Sequence, residues 1–478
     1  MMKSLTNLKE DNSELEFDQQ NNSIHINMLP KEMLILILKK LSFKNIKNVL
    51  LVCRYWRTLG EDPVLWKKFQ FLYIKDPAFF VEILSSPRLS KVEHITLDGL
   101  YEFKAGYDDS HMNFLLDMKL KHLQIEDIAD MRDVSADILA KVVNKCEIVE
   151  LGSNLSEEQY YEIFYEMSKE TKLKKFLMPD NIFVRNIPAD ILARALNNIE
   201  DVTLSNLTRF QILSMFLSMS LTTSKTVHLN LYANNLNHLP NHILVSAVSK
   251  LKSLTLGPLD QDKVTSIMTS LRKGTNLSYL DFGDSDLTDV HPEVLAKGLV
   301  RVETVNLMCT RLYTNQITEL CKEMAKEDTA LKHLHLQHDL RDVPSDILSK
   351  AINQLETAGI LACLVNEAQT KAIFTEISKG TKVKRINFNN LRAPLIMPRL
   401  AKVSDDTIAK AVNKLEEVHI QVGDADNEMS PNQIKAILQK AADEKTNLKK
   451  AVIFSGWNTI PQNVVEIVNR KILNFFLK

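Results

Sequence analysis

The sequence predicts an α/β solenoid, a parallel sheet with helices stacked outside it, preceded by a short helical module. Three observations lead there. One phrase recurs as Ala136-Asp-Ile-Leu-Ala, Ala189-Asp-Ile-Leu-Ala, Asn241-His-Ile-Leu-Val, Pro292-Glu-Val-Leu-Ala, Ser345-Asp-Ile-Leu-Ser, Asp405-Asp-Thr-Ile-Ala and Gln462-Asn-Val-Val-Glu, at steps of 51 to 60 residues. Self-similarity at a fixed period is the signature of a repeat architecture. Between the phrases come short alternating stretches such as Leu251-Lys-Ser-Leu-Thr-Leu and Val302-Glu-Thr-Val-Asn-Leu, and alternation at period two reads as strand. Ahead of the repeats, residues 29–69 are dense in apolar side chains and hold two of the chain's three tryptophans.

The first 23 residues are rich in Asn, Gln, Asp and Glu. They lack the apolar core and basic lead-in of a signal peptide and are expected to form a disordered tail. The helical module is expected over 24–71. Pro30 suits the first turn of a helix, where its missing N–H would have no intrahelical partner. Glu32 lies where the helix dipole favours a negative charge. Met33 through Leu38 are six apolar residues in a row, and a helix apolar on every side must be covered on more than one face. A module this small has too little interior to do so alone, so the pattern asks for a partner.

The residues Leu29-Pro30-x-Glu32, Ile37-Leu38-x-x-Leu41, Val52-Cys53-x-x-Trp56 and Asp62-x-x-Leu65-Trp66 together resemble an F-box, the module that joins a protein to the Skp-type adaptor of a cullin–RING ubiquitin ligase. The resemblance implies adaptor binding, with Leu29, Pro30, Ile37, Leu38, Leu41, Val52, Trp56 and Trp66 at family positions that form the module's core or meet the adaptor.

The solenoid is expected over 72–478. Each recurring phrase starts with a small, polar or proline residue and runs into apolar positions at period 3.6, which is how helices begin. A second helix in each period ends near Lys169-Glu-Thr, Lys273-Gly-Thr, Glu327-Asp-Thr, Lys379-Gly-Thr or Glu444-Lys-Thr. Fifteen strands are expected, starting at residues 92, 120, 146, 173, 199, 226, 251, 277, 302, 331, 355, 383, 415, 448 and 472. Stacked at about 4.8 Å, they would make an arc of very roughly 70 Å with the strands on its concave face. A strand and a helix in each unit resemble a long leucine-rich repeat, with two alternating unit types as in ribonuclease-inhibitor-like solenoids. Leu229-Asn-Leu231-Tyr-Ala-Asn234-Asn-Leu236 carries that family's pattern in full, whereas Ser285 and Thr310 stand where Asn is usual. Longer steps predict loops at 391–403 and 422–431, and a third at 98–110.

At 478 residues, 45% hydrophobic and 25% charged, the chain has the composition of a soluble protein with material for a large core. Its 59 basic and 60 acidic residues leave no basic surplus for a nucleic acid or a membrane. Five cysteines, an odd count without a Cys-x-x-Cys pair, point to buried free thiols in a reducing compartment. No window approaches the length of a membrane span. The expected location is the cytoplasm or the nucleus.

No phosphate-cradling glycine loop or nucleophile elbow is present. His333 and His335 share one face of a strand, half of a zinc site, but the flanking strands offer Thr304, Asn306, Met308, Thr357, Gly359 and Leu361 and no third ligand. His94, His122 and His228 fall in the same outward column as His333. No metal, cofactor or catalytic residue is expected. Outward strand positions bring Asp98, Glu126, Glu150, Asp201 and Asp281 against Lys175, with Arg385 and Lys450 later in the chain. Tyr232, Tyr279 and Met308 lie near the middle. With Asp281 these are the candidate partner-binding residues, since such side chains dominate interface energetics.

These features, with what the resemblances imply, describe a non-catalytic substrate receptor of an SCF-type ubiquitin ligase. Its F-box would bind the adaptor and through it the cullin and RING subunit, and its repeats would bind the protein to be ubiquitinated. The alternatives are an adaptor-linked scaffold without a ubiquitination role and a ribonuclease-inhibitor-like inhibitory protein.

Overall fold

The structure is a computed structural model that describes residues 26, 29–41, 45, 48–72, 85–86, 89, 91–98, 105–152, 154–178, 183–326, 328–360, 365–389, 402–421, 430–443, 446–454 and 474–477. The expected tail at 1–23, the seventh helix phrase at Gln462, and all but the C-terminal ends of the loops at 391–403 and 422–431 lie outside those residues. The chain divides into two compact units, Met1–Lys68 with Leu84–Val92, and Phe69–Ile83 with Glu93–Lys478.

The first unit is built on helices α1 (Lys31–Leu38) and α2 (Arg54–Gly60) and a 3-10 turn, Pro63–Trp66. Pro30 is the N-cap of α1, one residue ahead of the first turn. Its carbonyl accepts from the amides of Met33 and Leu34. Leu34, Leu38, Val49 and Leu59 form the core, and Leu29, Ile35, Leu41, Trp56 and Leu65 pack against it partly buried. Asp62 caps the turn by accepting from the Val64 amide at 3.0 Å, and the indole of Trp66 donates to the Gly60 carbonyl at 2.8 Å. Gly60 packs closely against Leu50, whose Cδ2 would lie 2.7 Å from a Cβ at that position.

In the second unit every one of the fifteen expected strands forms, each two residues after its expected start. They are β2 (His94–Asp98), β4 (His122–Ile125), β6 (Ile148–Leu151), β7 (Lys175–Met178), β8 (Asp201–Leu204), β9 (His228–Leu231), β10 (Ser253–Leu256) and β11 (Tyr279–Asp281). After these come β12 (Thr304–Leu307), β13 (His333–Leu336), β14 (Thr357–Ile360), β15 (Arg385–Asn389), β16 (Glu417–Gln421), β17 (Lys450–Phe454) and β18 (Asn474–Leu477). The offset has a simple cause. Among the described residues, the first apolar residue of a motif, such as Leu173, Leu251 or Leu331, is buried but anchors the turn before the ladder begins. The sheet runs in chain order, and each pair from β2 onward is parallel. One further strand, β1 (Lys68–Leu72), heads that order. A separate two-stranded parallel sheet, β3 (Ala105–Asp108) with β5 (Ala129–Asp133), was not expected. β3 falls within the predicted 98–110 excursion.

Helix α3 (Asp109–Asp117) opens the helical series, and two kinds of helix then alternate. One kind starts at six of the recurring phrases: α4 (Ala136–Lys145), α6 (Ala189–Leu196), α8 (Asn241–Val248), α10 (Pro292–Leu299), α12 (Ser345–Gln354) and α14 (Asp405–Lys414). These run 8 to 10 residues, and Pro188, Pro240 and Pro344 are N-caps. The other kind is longer, 11 to 13 residues: α5 (Glu157–Lys169), α7 (Arg209–Leu221), α9 (Gln261–Arg272), α11 (Thr314–Met324), α13 (Glu367–Lys379) and α15 (Pro431–Asp443). Ser156, Thr208, Asp260 and Asn366 cap four of these through their side chains, supplying the acceptor that orphan helix N–H groups need.

Asn234 makes the bonds its motif implies: its amide donates to the Leu204 carbonyl at 2.9 Å and its oxygen accepts from the Leu207 amide at 2.8 Å. At the corresponding turns the hydroxyls of Ser285 and Thr310 bond mainly to local carbonyls, Phe282 at 2.6 Å and Leu307 at 2.9 Å. Cys146 and Cys321 are buried as expected for free thiols, and burial pushes the Cys146 thiol up to about 12. Cys53 and Cys309 correct that expectation, since both are exposed; Cys363 lies outside the described residues. No helix among the described residues is long and apolar enough to cross a membrane.

Candidate protein-interaction surfaces

The six-residue apolar run of α1 splits between two environments. Leu34 and Leu38, one turn apart, point into the core, while Met33, Leu36 and Ile37 are 49%, 54% and 40% exposed. The segment leading into α2 adds Leu51 at 78% and Val52 at 66%, and α2 itself adds Tyr55 at 43%. With Ile26 at 45%, seven large apolar side chains are thus left to water among the described residues of this unit, the kind of surface that marks a protein contact. Among the residues singled out in the sequence, Pro30, Ile37 and Val52 are exposed, and Leu29, Leu41 and Trp56 are half-buried against the core. Leu38 and Trp66 are buried. Met33, Leu36, Leu51 and Tyr55 were not singled out. The run Met33–Leu38 held the signal for two of them, because a helix can turn only part of an uninterrupted apolar run inward.

The second surface is the sheet face of the second unit. Buried and part-exposed residues alternate along its strands. The registers place Asp201, His228, Ser253, Tyr279, Thr304 and His333 in one outward row. Asp281 sits in the next row, two positions along, beside Asn306. Asp281 accepts from the Asn306 side chain at 2.8 Å, the Gly283 amide at 2.8 Å and the Tyr279 hydroxyl at 3.4 Å. Tyr232 follows the last residue of β9 and Met308 that of β12. Tyr232 therefore does not stack with Tyr279. Its hydroxyl donates instead to Asp284 at 2.6 Å, and that bond holds the phenol above its ordinary value. Burial, then the charge of Asp281, does the same for Tyr279.

His333 and His335 face the neighbours expected of them, Thr304 and Thr357 for the first, Asn306 and Gly359 for the second. Burial, and then the charge of His333, lowers the His335 imidazole. Gly359 leaves it room, because a Cβ there would lie 2.7 Å from Nδ1. Leu361 lies outside the described residues. Among the described residues no cluster of three or more His, Cys, Asp or Glu has the arrangement of a metal site. In the same outward column as His333, the rings of His94 and His122 stack at 3.7 Å, and His122 lies 3.1 Å from Glu150.

A family model described as F-box-like matches residues 26–71. That match supports an F-box protein, and the helices of the first unit fit it. No curated protein matches the chain.

Proposed function

We propose that this chain is the substrate-recognition subunit of an SCF-type cullin–RING ubiquitin ligase. Its F-box, over 24–71, docks on a Skp-type adaptor and through it on the cullin and RING subunit. The region 72–478 is a leucine-rich-repeat solenoid of the ribonuclease-inhibitor-like kind, with alternating unit types, and holds the protein to be ubiquitinated. The observation that carries the reading is the coincidence of the F-box-like match with the exposed apolar set Met33, Leu36, Ile37, Leu51, Val52 and Tyr55. Pro30, Ile37 and Val52 meet the adaptor in this reading, joined by Met33, Leu36, Leu51 and Tyr55. Leu38 and Trp66 act from inside by holding α1 and the 3-10 turn in place, and Leu29, Leu41 and Trp56 sit between core and contact. The chain supplies no chemistry of its own; ubiquitin transfer belongs to other subunits, and the complex works in the cytoplasm or nucleus.

Affinity capture of the full chain from its own cells tests this. Adaptor and cullin are expected to copurify, and deletion of residues 24–71 is expected to remove both. Depletion of the chain is expected to raise the abundance of at least one captured partner. Capture without cullin would contradict the ligase reading. Capture with cullin but with no partner stabilised on depletion would favour the scaffold.

A further inference from the structure

The sheet face of the second unit is chemically one-sided. From β2 to β13 its outward positions carry Asp98, Glu126, Glu150, Asp201 and Asp281. Among the described residues there, the one lysine is Lys175, held by Asp201 at 2.9 Å. The Glu126 carboxyl is raised above its ordinary value by burial and then by the like charges of Asp98, Asp127 and Glu150. Burial and neighbouring like charges both have that effect, while Lys175 offsets Asp201 and His122 lies 3.1 Å from Glu150. On this wall stands an aromatic ring fixed in advance. Tyr232 is 47% exposed, yet its hydroxyl is bonded to Asp284. Its ring lies so close to Gly283 that a Cβ there would meet Cδ2 at 2.9 Å. Gly283 also has φ of +52°, a conformation that suits glycine. An exposed ring that is already immobilised loses little entropy when something settles on it.

The charge decides what that something is. An acidic segment or a nucleic acid would be repelled by the carboxylates. A purely apolar segment would strip water from them without replacing it. A lysine or arginine can lie over the ring face and meet a carboxylate at once. We propose that this face binds a basic segment of a partner protein, laid across β6 to β12, with one lysine or arginine seated on Tyr232 beside Asp284. The proposal rests on the reading of the chain as a recognition subunit and adds the chemistry of what is recognised. From Glu150 on β6 to Tyr232 after β9 is three strand spacings, about 14 Å, within reach of about four or five extended residues.

The test uses the full chain and two fluorescein-labelled probes, an alternating Gly-Arg peptide and its Gly-Glu counterpart, read by anisotropy. The Gly-Arg peptide is expected to bind and the Gly-Glu peptide not to. Tyr232→Ala combined with Asp284→Asn is expected to weaken binding about tenfold, and Tyr232→Phe, which keeps the ring, by less. Asp137→Asn with Asp190→Asn, on helices α4 and α6, is expected to leave it unchanged. If the double variant fails to fold, Asp284→Asn alone, at an exposed position, gives the answer. No binding of Gly-Arg, equal loss from the helix changes, or no effect at Tyr232 and Asp284 would each overturn the proposal. Adaptor capture by the same preparations is a separate readout: its loss with peptide binding intact strikes the ligase reading and leaves this one standing.

Discussion

Five glutamines, Gln159, Gln211, Gln316, Gln369 and Gln433, do for the second unit what its sparse asparagines cannot. Each is at most 3% exposed and stands at the third position of a long helix. In Gln159 the amide nitrogen donates to the carbonyls of Met131 and Val134, both at 2.7 Å, and the oxygen accepts from the Ser156 amide at 2.9 Å. One side chain thus fastens the turn ahead of a short helix to the start of the next long one. A glutamine three residues after Ser or Thr reads in the sequence as half of a capping box, so its bonds to the preceding unit were not legible. Gln159→Leu keeps the volume and strands polar groups that cost about 1–3 kcal/mol each when buried unpaired. Urea unfolding is expected to show a loss of about 2–4 kcal/mol; a loss within error would remove the glutamines from the account. Lys263 holds the equivalent place in α9, 8% exposed, with its ammonium 3.8 Å from Asp260. The Asp260 amide is already served by Asn237 at 2.7 Å. Lys263→Gln is expected to raise the unfolding midpoint by restoring the bonds to the turn, worth about 1 kcal/mol. A lowered midpoint would mean that the lysine has a role of its own.

At the scale of elements, alternation is written twice, in helix length and capping and again in charge. The residue before each strand is Glu93, Lys121, Glu147, Lys174 and Glu200, then after an interruption Glu303, Lys332, Glu356, Lys384, Glu416 and Lys449. Neighbours pair at 2.7 Å for Glu147 with Lys174, 2.9 Å for Glu303 with Lys332 and 2.6 Å for Glu356 with Lys384. Such exposed pairs add little stability, but they set a short-helix unit beside a long-helix one. Stability in a stack is a sum of unit and nearest-neighbour terms. Deleting residues 189–240 removes one unit of each kind and rejoins like to like, whereas deleting 189–214 joins the wrong neighbours. The longer deletion is therefore expected to melt at the higher temperature, and the reverse order would refute pairing of unit types. The strands and the short helices were legible because each motif repeats, so that Ala136, Ala189 and Ser345 reinforce one another. The β3–β5 pair occurs once, in residues such as Ala105-Gly-Tyr-Asp with little strand propensity, and repetition could not expose it.

At the scale of the whole molecule, the chain joins a small helical unit with a cluster of exposed apolar side chains to a large one with an extensive buried core. The F-box-like character of the first unit, which the family match supports, was legible from its spacings. Which of its apolar residues face outward was not, because Met33 to Leu38 give no period to read and the inward pair Leu34 and Leu38 is fixed only by the packing of Val49 and Leu59 against it. The division of labour proposed for the two units stands or falls on that outward set. The most direct measurement is the affinity of the purified chain for a purified Skp-type adaptor, with Ile37→Ala plus Val52→Ala compared with wild type. Both side chains are exposed, 40% and 66%, so the melting temperature is expected to hold. Each large apolar side chain buried on binding contributes roughly 1.5–3 kcal/mol, so Kd is expected to rise about a hundredfold or more. A double variant that binds the adaptor as tightly as wild type, or a wild-type chain that does not bind it, would contradict the account.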